Sequence, residues 1–268
     1  MKSLTLLAFT YAFLMNSCTN SDTNTKSTDD DAALATQTPA LTYTVVATYP
    51  HDTSSYTQGL EFLNGQLYEG TGNYGFSKLL QVDLKTGKAA RQISLSSKFF
   101  GEGITIIHDT LYQLTWKESV VFVYEPKTFK KTKEFPLNTE GWGFTNDGKN
   151  LIVSDGSSNL YFYEPSTFRL LRTQGITDEG GPAYNLNELE YINGYIYANK
   201  YETNYILKID PASGQVVAKM DLSDLANRVK SKDPQVNVLN GIAYDPATKK
   251  IYVTGKWWPE LYEIQFEH

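Results

Sequence analysis

A short motif recurs five times between Tyr56 and Gly255, and it restricts the chain to a ring of similar β units. The copies read YTQGLEFLNGQLYEG from Tyr56, GEGITIIHDTLYQLTW from Gly101, TEGWGFTNDGKNLIVSD from Thr139, NELEYINGYIYANK from Asn187 and LNGIAYDPATKKIYVTG from Leu239. Each joins a segment rich in Gly, Glu or Asn to a hydrophobic strand, a tight turn and a second strand. Aligning Gly59, Gly103, Gly143, Leu189 and Gly241 gives spacings of 44, 40, 46 and 52 residues, the length of one four-stranded propeller blade. Outer hairpins begin at Leu79, Val121, Leu160 and Ile206, each an alternating apolar strand, an acidic turn and a further strand. The fifth is incomplete: LYEIQF from Leu261 runs into the C-terminus, and the segment 41–49 can supply its partner. The expected fold is all-β, a five-bladed β-propeller of four-stranded antiparallel blades, closed by pairing of the N-terminal strand with the last blade. Residues 221–236 depart from this pattern, and Ser223 or Asp224 could cap a short helix there.

The first residues read as targeting sequence. Lys2 precedes an apolar run from Leu4 to Met15, a run of about 12 residues where a membrane span needs about 20. The segment MNSC ending at Cys18, the chain's one cysteine, resembles a bacterial lipoprotein cleavage site, whose cysteine is acylated. The expected organisation is a signal peptide over 1–17, an acylated Cys18 with a flexible tether over 18–40, and a propeller catalytic domain over 41–268. The polar stretch after Cys18 has little to bury and so nothing to offset the entropy of ordering. This organisation implies an exported envelope protein, anchored to a membrane through Cys18, on the outer membrane or facing the periplasm. An ordinary secretory peptide with a chance cysteine is the other reading. Net charge is −6 with no basic tract, which argues against a nucleic-acid partner, and a monomer is expected.

Several side chains are not demanded by the blade pattern. Glu102 lies between two glycines and follows Phe99 and Phe100; Trp116, Trp142 and the Trp257–Trp258 pair sit at strand ends. Gln58, Glu102, Glu140, Asn187 with Glu188 and Glu190, and Asn240 take corresponding places in the repeats. Such residues can pin loops and pack between blades, or they can line one axial opening with an acid, an amide, an amine and several indoles. His51, His108 and His268 fall in no zinc-ligand spacing, so a metal site is not indicated and no cofactor is expected.

Through YTQGL at Tyr56, FGEGIT at Phe100, YQLTW at Tyr112, EGWG at Glu140, LNELE at Leu186, NGIAYD at Asn240 and VTGKWWP at Val253, the domain resembles the plant and bacterial glutamine cyclotransferases. The resemblance implies a five-bladed propeller that converts N-terminal glutamine to pyroglutamate with loss of ammonia. It places Glu102 on the family's catalytic acid, with Asn187 and Lys256 as further catalytic positions. Gln58, Phe100, Trp116, Trp142 and Tyr201 fall on its substrate-binding positions. Tyr201 stands where the family usually has tryptophan, which implies altered substrate packing. The implied partners are peptides or proteins with an N-terminal glutamine.

These side chains suit the reaction. The α-amine is tethered to the amide carbon it attacks, so the protein must fold the side chain, move protons and steady an oxyanion. One carboxylate could carry the proton both ways, and apolar neighbours would raise its pKa. Two alternatives remain at this level: a non-catalytic surface propeller that binds a peptide or glycan, and a hydrolase propeller with an axial calcium.

Overall fold

The computed structural model describes residues 37–267. The signal peptide, Cys18 and nearly all of the tether expected from the sequence lie outside the described residues.

Five sheets of four or five strands follow one another along the chain, each running from an inner strand outward, and a two-stranded ribbon, Thr177–Asp178 with Gly181–Pro182, lies between the third and fourth in sequence. The inner strands are Thr57–Leu63, Gly101–Ile107, Phe144–Asn146, Leu186–Ile192 and Leu239–Asp245. They are almost wholly buried and pack against one another around an axis. Outer strands such as Lys88–Ser94 and Lys131–Pro136 are largely exposed. Burial of the inner strands on both faces takes in their polar residues too, such as Gln58, Glu102, Asn187 and Glu188, whereas the outer strands keep theirs in solvent. The apolar core lies mainly between neighbouring sheets, as in the cluster that joins Leu60, Phe62 and Leu67 to Ala243, Tyr252 and Leu261.

The expected ring of uniform four-stranded antiparallel blades closed by strand pairing needs correction. The fourth sheet has five strands and is mixed, because Ala40–Leu41 adds to it in parallel beside Val216–Asp221. The next segment, Thr44–Pro50, lies antiparallel to Glu260–Gln265 and forms the outer edge of the fifth sheet. That pairing stays inside one sheet; the five sheets remain separate ladders, and among the described residues no strand pairing joins the fifth to the first. Inner strands meet around the axis through their side chains instead. Glu188 accepts the backbone N–H of Leu60 (3.1 Å) and of Ile242 (2.8 Å), tying the fourth blade to the first and fifth. Asn240 Nδ2 donates to the Thr57 carbonyl at 2.9 Å, Thr105 Oγ1 to Glu61 Oε2 at 2.9 Å and Ser154 Oγ to the Asn187 carbonyl at 2.7 Å. The arrangement is propeller-like, held by packing and by these bonds.

A helix, Ser223–Lys232, occupies the segment that broke the repeat and buries Leu225 and Val229. Neither Ser223 nor Asp224 caps it. Leu222 takes the N-cap position, and Asp221 Oδ1 accepts the Ser223 N–H at 2.8 Å.

Candidate active site

An antiparallel hairpin places the start of its first strand beside the end of its second, so every blade delivers both points to the same end of the ring. Gln58, Glu102 and Asn187 are each the second residue of an inner strand, whereas Trp116, Tyr201 and Lys256 each follow directly on the strand beside one. Trp142 precedes the third inner strand. Together with Tyr56 and Phe100 they line one pocket. The strand pairing is irregular at the same place in four blades, between Thr57 and Gly59, Gly101 and Ile104, Leu186 and Leu189, and Leu239 and Ile242. Such irregularities re-aim a side chain without ending the sheet.

Glycine permits the crowding at two points. A Cβ on Gly103 would lie 2.7 Å from the Trp142 carbonyl oxygen, where the second and third blades meet. At Gly156, whose φ is +79°, a Cβ would lie 2.6 Å from the Trp142 indole, so this turn is the shelf on which the ring rests.

The pocket has aromatic walls and a polar floor. Phe100 stands edge-on to Trp116 (centroids 5.5 Å apart) and to Tyr56 (6.1 Å), and Trp142 edge-on to Tyr201 (5.5 Å). Gln58, Glu102, Asn187 and Lys256 are buried, none more than 4% exposed. Their free space holds about 270 Å³, at the small end of ligand cavities and suited to one side chain more than to a long peptide. Burial pushes the Glu102 carboxyl well above the usual carboxylate range; Lys256 pulls it down, and Glu118 and Glu140 push it up again. Burial also lowers Lys256 to about 8, against the opposing pull of Glu102. The Lys256 ammonium lies 4.5 Å from the Tyr56 ring centre and 4.9 Å from that of Tyr201, a cation–π setting that favours its charged form.

All eight candidate substrate and catalytic side chains of the sequence therefore line this pocket. Other candidates go elsewhere. Trp258 is buried and donates its indole N–H to the Asn237 carbonyl at 2.9 Å, a packing role. Glu188, Glu190 and Asn240 bond between blades: Glu190 Oε1 accepts the Tyr244 N–H at 2.6 Å. Tyr56 is the lining residue that was missed. A signal for it existed, since it stands two residues before Gln58 as Phe100 stands two before Glu102. Among the described residues no group of three His, Cys, Asp or Glu side chains is arranged to hold a metal ion.

The glutamine cyclotransferase family model matches residues 12–266. The glutaminyl-peptide cyclotransferase of Arabidopsis thaliana is 39% identical over 226 residues, covering 83% of this chain and 71% of that protein. The crystal structure of Myxococcus xanthus glutaminyl cyclase matches with a TM-score of 0.80 at 36% identity, covering 85% of this chain and 98% of the other.

Proposed function

Because the chain belongs to the glutamine cyclotransferase family, we propose that its pocket cyclises the N-terminal glutamine of peptides, with Glu102 carrying the proton. The chain is an enzyme of this family, converting N-terminal glutamine to pyroglutamate. The observation that carries the assignment of Glu102 is a lone buried acid at the base of an aromatic-walled recess, beside a lysine whose charge is itself discouraged.

The bond that forms joins the neutral α-amine nitrogen to the side-chain amide carbon, and the bond that breaks releases the amide nitrogen as ammonia. Glu102 takes a proton from the attacking amine and returns it to the leaving nitrogen. A carboxyl held above its ordinary range is a stronger base than a free one and a competent acid on return. Asn187 and Lys256 donate to the oxygen that gains charge, where preorganised donors in a dry site act most strongly. Gln58 holds the polar end of the substrate, while Phe100, Trp116, Trp142 and Tyr201 enclose its methylenes. Tyr201 replaces a larger ring, which widens one wall and adds a hydroxyl.

Purified protein is expected to release one ammonia per Gln-initiated peptide and to lower the peptide mass by ammonia alone. No release from several such peptides overturns the reading; binding without turnover favours a surface binding module. Across pH the rate is expected to rise as the substrate α-amine loses its proton, at about 8, and to fall again above that as Lys256, lowered to about 8, loses its own. A rate that climbs to a plateau with no descending limb removes Lys256 as a charged donor.

Anchoring at Cys18 is part of the proposal and is supported by Lys2, the apolar run and the MNSC segment. The tether then keeps a monomeric catalytic domain clear of the bilayer. Detergent-phase partitioning that persists in Cys18→Ala counts against it.

A further inference from the structure

We propose that Glu140 is a positioning residue that sets the width of the pocket by clamping its two indole walls. Glu140 does not itself line the pocket, but its Oε2 accepts the Nε1–H of Trp116 at 2.8 Å and of Trp142 at 3.1 Å. The two rings come from different blades, one after the second strand of blade two and one ahead of the inner strand of blade three. A backbone bond from Gly141 N to the Trp116 carbonyl, 3.1 Å, holds the Glu140 loop against the first of them. Lys117 closes the outer side, with its ammonium 4.0 Å from the Trp116 ring centre and 3.9 Å from Glu140 Oε1.

The geometry leaves each wall little choice. Trp116 is wedged between Phe100 and Lys117, and Trp142 between Tyr201 and Gly156. What stops either indole from swinging about its long axis is the shared oxygen. A half-exposed carboxylate, 42% exposed at its side chain, contributes little to the fold, since exposed ion pairs are weak. A hydrogen-bond acceptor common to two rings does fix their separation, and near-attack geometry tolerates only small displacements. The clamp thus sets the gap in which the glutamine methylenes lie while the amine curls back onto the amide.

This inference rests on the cyclisation reading, so its test includes a readout independent of turnover. Glu140→Ala is expected to raise KM for a Gln-initiated peptide about ten-fold with a smaller change in kcat, and to weaken the near-ultraviolet circular dichroism of the tryptophans in substrate-free protein. Glu140→Gln keeps an oxygen able to accept both N–H groups and is expected to hold KM within about three-fold of the parent. In a Trp116→Phe/Trp142→Phe background, which lacks both donors, Glu140→Ala should cost nothing further. Equal damage from Gln and Ala, or full additivity in the cycle, overturns the clamp. So does an unaltered dichroism spectrum in Glu140→Ala, whether or not the protein turns over its peptide. A protein that shows the clamp yet releases no ammonia instead refutes the cyclisation reading alone.

Discussion

Glu102→Gln is expected to lower turnover by about 10²-fold or more and to leave the unfolding midpoint unchanged or higher. The substitution preserves size and hydrogen-bonding shape while abolishing proton transfer. Its effect on stability follows from burial. A carboxyl whose folded pKa stands above its ordinary value of 4.5 binds protons more tightly when folded. Its stabilising contribution is present below that ordinary value and is lost as pH rises through the folded one. Above that ordinary value the burial that raises the pKa therefore works against the fold, and an amide, which has no charged form to bury, removes that penalty. Activity and melting temperature measured on one preparation separate the outcomes. Near-parental turnover would make Glu102 structural and turn attention to Lys256, the other titratable group on the pocket floor; a large fall in midpoint would mean that lost activity reflects lost fold.

Glu188→Ala is expected to do the reverse, destabilising the ring by about 3 kcal/mol while adding no defect to the proton relay. Its carboxylate accepts backbone N–H groups from two other blades. Each buried donor left without an acceptor costs about 1–3 kcal/mol. In a domain of this size that corresponds to a fall of about 6–12 °C in melting temperature. Glu188→Gln, which retains one acceptor oxygen, should fall between. A midpoint within about 2 °C of the parent would show that the blades do not depend on this bridge.

These two glutamates illustrate what is legible in the chain and what is not. The inner strands announce themselves because a hairpin that recurs after a segment rich in Gly, Glu or Asn has few other solutions, and the register of the repeats brings Glu102 and Asn187 to one end. Glu188 follows Asn187 by one residue, and in a regular strand neighbours face opposite ways. The irregular pairing between Leu186 and Leu189 disturbs that parity, so pattern alone did not separate the pocket amide from the axial acid beside it. The resemblance to the family did. Glycines at 59, 103 and 241 were the available sign of irregular strands. The division of the first strand was beyond reach for another reason: residues 40–43 have no periodicity of their own, and their parallel pairing with Val216–Asp221 is set by contacts far away in sequence.

The pairing of Thr44–Pro50 with Glu260–Gln265 bears on how the molecule is made. Its two halves lie at opposite ends of the described residues, so the fifth sheet gains its outer edge only after the blades between them have been made. Bringing such distant segments together carries a loop-closure cost that grows slowly with length, and topologies dominated by non-local pairing fold slowly. The earlier blades can form from local hairpins as they emerge, leaving the outer edge of the fifth sheet as one late event. A circular permutant that joins Gln265 to Thr44 through a short turn, and opens the chain at the exposed Lys85–Thr86 turn, would make that event local and should refold faster, to the same five sheets without the Ala40–Leu41 strand.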